Sequence, residues 1–317
     1  MAPRPPTPAD WLRLFGLTAC WGTAFVLNEL ALGAYSPLEI VATRTIFGLF
    51  VLLAYLRLSG ATLPRTRQEW IPMVVTAIFG VIVPFFLTVW AQTELSSAVT
   101  AVLMSVMPLM VMSLAHVYVP GERLSRAKLL GFATGFVGVV LVIGPERSAD
   151  GNSVSFIGAI AVLAAALSYS GTSVYARLRS NQAPAAMATG MLVVAAAIAV
   201  PAALVEGQGS PIHLEPVALV AVALLGLFAT GIASVLYFQV IAGPGPTFLS
   251  IVNYLVPGWG VILGVLALGE HLSGSAFAGL AIILAGIAIS EFGHRWLAHR
   301  DTADTATDDA TADCQSL

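Results

Sequence analysis

The sequence predicts an all-α integral membrane protein of ten transmembrane helices, arranged as two inverted five-helix repeats. Three observations lead there. The composition is too apolar for water, ten apolar runs have membrane-crossing length, and the two halves echo each other at a constant offset.

Of the 317 residues, 58 % are hydrophobic and 10 % charged, whereas a soluble domain carries roughly 45–50 % and about 25 %. So few charges cannot cover a water-exposed surface of this size, so lipid must be the solvent for most of it. Cys20 and Cys314 lie far apart and define no disulfide framework. Leu17-Thr18-Ala19-Cys20 resembles a lipoprotein cleavage box, but Arg13 interrupts the apolar stretch before it and the run continues to Leu32. The reading is therefore an uncleaved first helix. The far end, with Asp301, Asp304, Asp308, Asp309 and Asp313 among Thr and Ala, reads as a solvated acidic tail.

A span needs about 20 mostly apolar residues to cross about 30 Å of hydrocarbon. Ten runs qualify: Trp11–Leu32, Leu38–Leu58, Ile71–Ala91, Ala98–Val119, Leu129–Gly144, Phe156–Ala176, Ala185–Val205, Val217–Ile241, Thr247–Leu268 and Ala276–Glu291. The runs are continuous rather than alternating, which speaks against a barrel. Orientation follows from Lys and Arg. With the N-terminus in the cytoplasm, ten spans place Arg4, Arg13, Arg57, Arg65, Arg67, Arg123, Arg126, Lys128, Arg177, Arg179, Arg295 and Arg300 inside, and Arg147 alone in the outside loops. Both termini are then cytoplasmic, and the expected location is the inner (plasma) membrane.

Gly121-Glu122-Arg123-Leu124-Ser125 is echoed by Gly269-Glu270-His271-Leu272-Ser273, a shift of 148 residues. At the same shift Gly131 meets Gly279, Gly138 meets Gly286 and Trp21 meets Tyr169, while Pro108 and Pro257 match at 149. Five spans per half is an odd number, so the second half enters the membrane from the opposite side. Inverted repeats give a physical basis for alternating access, with a solute site near the midplane between the halves. The expected organisation is a cytoplasmic N-terminus (1–10), a first repeat (11–144), an external linker (145–155), a second repeat (156–292) and the tail (293–317).

These residues resemble the drug/metabolite transporter superfamily, EamA type. Trp21-Gly22-Thr23-Ala24-Phe25 looks like the family's first-helix motif, and Ala42-Thr43-Arg44 its second-helix arginine motif. Pro108 followed by Gly121-Glu122-Arg123-Leu124, with Pro257 and Gly269-Glu270-His271-Leu272 in the second half, resembles its fourth-helix proline and the turn opening the fifth helix. The resemblance runs over roughly residues 11 to 292. It implies ten helices, cytoplasmic termini, a central cavity and movement of small metabolites such as amino acids. The second-helix arginine has no counterpart in the second half, where Leu192 falls.

Arg44 is the one basic residue inside a span, roughly 10 Å from the outer end. An unpaired Arg there costs at least about 2.5–3.5 kcal/mol. It reads as a cation for a solute carboxylate, against snorkelling or a structural ion pair. Glu29 lies at a comparable height on the neighbouring span, so a Glu29–Arg44 pair is expected, and a proton-coupling site at Glu29 is the related expectation, against an interfacial glutamate in contact with water. Trp21, Phe25 and Asn28 share a helical face. Tyr169 and Ser173 cluster on the sixth span, and Asn253 and Tyr254 lie on the ninth beside Pro257. Polar groups in hydrocarbon need internal partners or a water-filled cavity, so these side chains are candidates for the solute path, with helix packing as the alternative. Pro108 and Pro257 are hinge candidates against static kinks. Glu122 and Glu270 are expected to cap the helices that they open, and the glycines of spans five and ten to make scaffold or dimer contacts.

The sequence has no phosphate-binding loop, zinc motif or nucleophile elbow, so no metal, cofactor or catalytic set is expected. No large basic patch invites nucleic acid. The expected function is a secondary transporter, in the direction of export, for a small polar, amino acid-like solute. The partners are that solute, membrane lipid and a coupling ion, with the protein a monomer or homodimer. A multidrug or cationic exporter is the alternative, followed by a non-transporting sensor or lipid-handling enzyme.

Overall fold

The computed structural model describes residues 4–120, 125–143, 154–179, 183–207 and 215–290. Glu122, most of the linker at 145–155 and the tail at 293–317 lie outside these residues. Helix α1 (Pro8–Leu32) opens on Asp10, whose carboxylate accepts the Thr7 N–H at 2.9 Å and pairs with Arg13 at 2.8 Å. Helix α2 (Pro37–Leu58) opens on a reciprocal cap. The Ser36 N–H donates to Glu39 and the Glu39 N–H to the Ser36 hydroxyl, which satisfies two donors that a helix start leaves free. Glu39 is thus a cap.

Helices α3 (Arg67–Ala91), α4 (Ser97–Tyr118), α5 (Arg126–Ile143), α6 (Phe156–Arg179), α7 (Pro184–Glu206) and α8 (Pro216–Ala242) follow. The ninth helix, α9, is a short turn at Pro246–Leu249 continued by Val252–Leu268, and α10 is Gly274–Ser290. The first eight are long and apolar enough to cross a membrane, and the last two are shorter apolar helices. The chain is a multi-pass, all-α membrane protein of about ten helices, as the apolar runs predicted.

Among the described residues, four helices are not regular. Wide, π-type turns occupy Ile78–Ile82 in α3 and Leu225–Ile232 in α8. In α3 the Val83 N–H reaches back to the Ile78 carbonyl. The next donor in that register would be Pro84, which has no N–H. The Phe79 carbonyl is instead taken by the Ser168 hydroxyl of α6, at 2.6 Å. Helix α4 breaks at Ser105–Val106, just before Pro108, and α9 breaks at Ser250–Ile251. Pro257 lies inside the continuous part of α9, and the break lies about two turns before it.

The largest apolar cluster joins α4, α5, α6 and α10 through residues such as Leu103, Leu109, Val162 and Ile283. The glycine faces of α5 and α10 meet each other within the chain. A Cβ at Gly138 would lie 2.7 Å from the Gly279 carbonyl and 2.8 Å from Ile283, so the backbones touch. They form an intramolecular scaffold of the kind small residues permit. Large apolar side chains such as Leu129, Phe136, Phe156 and Leu266 point outward, as lipid contact requires.

Candidate functional site

A cavity of about 290 Å³ lies in the middle of the bundle, room for roughly ten waters at about 30 Å³ each. Helices α1, α2, α3, α4, α6, α7, α8 and α9 all contribute to its wall. Trp21, Phe25 and Asn28 come from one face of α1, Arg44 from α2, Tyr169 from α6 and Asn253 from α9, and Pro108 and Pro257 also reach it. These predicted positions are brought together. Glu29, Ser173 and Tyr254 are not on the wall. Ser173 is exposed, with its hydroxyl bonded to the Tyr169 carbonyl of its own helix. Tyr254 packs with the cluster around Leu103 and Ile283. Each shares a helix with a wall residue, but helical rotation turns it to a different face.

Arg44 is buried, yet its partner is not Glu29. Its Nε donates to the Thr230 hydroxyl at 2.7 Å, and its guanidinium carbon stands 3.8 Å above the centre of the Phe85 ring. A ring face attracts a cation electrostatically. The wide turn of α8 presents Thr230, whose hydroxyl also reaches the Leu225 carbonyl five residues back. Helix α2 comes close because Gly48 and Gly226 face each other: a Cβ at Gly226 would lie 2.7 Å from the Arg44 carbonyl. The expected Glu29–Arg44 pair is therefore corrected. Among the described residues no carboxylate forms an ion pair with Arg44. One hydrogen bond and one ring leave part of a five-donor fork free for a ligand.

The rest of the wall is mixed. Thr88, Ser105 and Ser234 add hydroxyls, while Met104, Met107, Met191 and Leu192 add soft apolar surface. The sequence reading passed over Thr230, Phe85 and Ser234. The four-residue spacing of Thr230 and Ser234 in an apolar span was the available signal. Phe85 carried none, because one more aromatic in a span looks like any lipid-facing ring. Above the cavity, Gln92 ties α3 to α1: its Nε2 donates to the Phe25 carbonyl at 2.7 Å, and its Oε1 accepts from Asn28 at 2.9 Å. At that same end, Glu270 accepts the Ser97 and Ala98 N–H groups, both at 2.8 Å. Glu270 therefore caps α4, across the two halves, rather than the helix it was expected to open.

The family described as the EamA-like transporter family matches twice, over residues 11–144 and 156–292. The chain belongs to the EamA-like transporter family. Among its relatives, the inner membrane transporter YedA of Escherichia coli K12, itself uncharacterised, is 25 % identical over 286 residues, covering 88 % of this chain and 90 % of YedA. A probable amino-acid metabolite efflux pump of Salmonella typhimurium is 25 % identical over 292 residues, covering 87 % and 92 %. A solved crystal structure aligns with a TM-score of 0.66 at 24 % identity, over 92 % of this chain and 99 % of that one, and shows a shared fold. This EamA-like protein is a multi-pass membrane transporter.

Proposed function

We propose that this protein moves a small carboxylate-bearing, amino acid-like solute across the inner membrane by alternating access, in the direction of export. The observation that carries the reading is the charge of the cavity wall: among the described residues, Arg44 is the one ionised group on it. A buried cation without a carboxylate partner is costly, and a solute carboxylate offsets that cost by accepting from the guanidinium fork. Leu192 lies on the same wall at the position related to Arg44 by the repeat. The wall therefore offers a cation for a carboxylate at Arg44 and apolar surface for a side chain at Leu192. The name of the Salmonella relative points to the same solute class. A lipophilic cation meets the wrong sign at Arg44, which disfavours the multidrug alternative.

The inverted repeat and the irregular helices at the cavity support alternating access, since such sites sit where discontinuous helices meet. The test is counterflow of labelled L-amino acids in proteoliposomes. Wild-type protein should exchange them, unlabelled organic acids should compete and lipophilic cations should not. Arg44→Gln should lose the exchange. Competition by cations alone, or undiminished exchange by Arg44→Gln, would refute the reading.

A further inference from the structure

Beside the cavity, towards the end that carries Ser97 and Glu270, lies a second cluster of polar groups. Glu29 is half-buried next to Gln92 and within electrostatic reach of Glu270. Among the described residues neither carboxylate is in an ion pair. Of the other titratable side chains at this end, Glu94, Glu206, Glu215 and His271 are exposed, and Tyr35 and Glu39 are half-buried, Glu39 as the cap of α2. Three buried oxygens of the neighbourhood have no hydrogen-bond partner: Asn28 Oδ1, Glu29 Oε2 and Ser97 Oγ. Asn28 is 1 % and Ser97 0 % exposed.

The orphaned oxygen of Asn28 is forced by the chain. The Phe25 carbonyl can only accept, so Gln92 must turn its amide nitrogen towards it. Gln92 then offers its oxygen to Asn28, which must answer with its own nitrogen. The Asn28 oxygen is left over. Ser97 Oγ and Glu270 Oε2 converge on one point of α9, lying 3.0 and 2.6 Å from where a Cβ of Gly264 would be. Buried acceptors without donors are costly, and here they stand with two carboxylates lacking a counter-charge.

We propose that this cluster binds a monovalent cation, a sodium ion or a proton, whose binding drives solute movement through the adjacent cavity. Glu29 supplies the charge, and Asn28 and Ser97 supply neutral oxygens. Glu270, already fixed by two N–H groups of α4, adds negative potential. The coupling path is short. Helix α1 carries both Glu29 and the wall residues Phe25 and Asn28, and α4 carries both Ser97 and the wall residue Ser105. A change of charge at the cluster therefore acts on helices that grip the solute. The inference rests on the transport reading above.

The experiment uses full-length protein in proteoliposomes with labelled L-amino acids. A sodium gradient is imposed at equal pH, and a pH gradient in sodium-free choline buffer. One of the two should drive the solute beyond equal concentrations, and which one does identifies the cation. Glu29→Gln should abolish the driven accumulation. Ser97→Ala, which removes an oxygen without changing charge, should raise several-fold the cation concentration giving half-maximal drive. Both variants are first checked for monodisperse elution. Wild-type counterflow that ignores both gradients would overturn the cation site and leave the transport reading standing, and full accumulation by Glu29→Gln would do the same. No counterflow at all by the wild type would defeat both.

Discussion

Arg44 shows how a single residue can be readable in kind and unreadable in detail. A buried charge in an apolar span was legible in the sequence, but its partners come from helices distant in sequence. Thr230 is 186 residues away. No spacing rule joins them, because the contact depends on how two glycines let α2 and α8 approach. The two partners also differ in strength. A hydrogen bond to a charged group contributes about 1.5–3 kcal/mol, and a cation over a ring about 0.5–2 kcal/mol. Thr230→Val keeps the shape and removes the acceptor, so it should raise KM for the solute roughly ten- to hundredfold. Phe85→Leu should raise it less, about two- to thirtyfold. The check is concentration-dependent counterflow of both variants beside wild type. A larger effect at Phe85 than at Thr230 would mean that ring stacking, not the hydroxyl, sets the guanidinium.

At the scale of elements, the apolar runs located the helices, and the structure moved mainly their ends and their interiors. The ends moved because N-caps such as Ser36 lie outside the apolar window. The interiors moved because wide turns and breaks leave hydropathy unchanged. The turn in α3 illustrates what holds such a feature in lipid. An unsatisfied backbone group at membrane depth is expensive, and the Ser168 hydroxyl takes the place of the lost backbone donor to the Phe79 carbonyl. Ser168→Ala should therefore lower stability by about 1–3 kcal/mol. Adding Pro84→Ala supplies a backbone N–H at the next position of the wide-turn register and should restore much of the loss. Thermal melts of the two single variants and the double variant in detergent give the coupling. Simple additivity would show that Ser168 does not serve that carbonyl.

At the scale of the whole molecule, the repeat first seen as a five-residue echo reappears in the cavity wall. Trp21 and Tyr169, Arg44 and Leu192, Val81 and Ala229, and Ser105 and Asn253 are each related by the 148-residue shift, and all eight line the cavity. The wide turns of α3 and α8 obey it too, since residues 78–82 map onto 226–230, within Leu225–Ile232. The site is thus built twice from one pattern and then made unequal by single residues, Arg44 against Leu192 above all. A site lying on the pseudo-symmetry axis of an inverted repeat is reachable in principle from either end, since each half can take the other's shape. The Lys and Arg distribution predicts that the Ser97 and Glu270 end faces outside. Single cysteines in a cysteine-free background test both statements. Glu94→Cys should react with an impermeant thiol reagent in intact cells, and Arg179→Cys only after the membrane is opened. Asn253→Cys, on the cavity wall, should react with small reagents from both sides, and saturating solute should slow both reactions. Labelling of Asn253→Cys from one side alone under every condition would leave a pocket that opens one way, and alternating access would have to be given up.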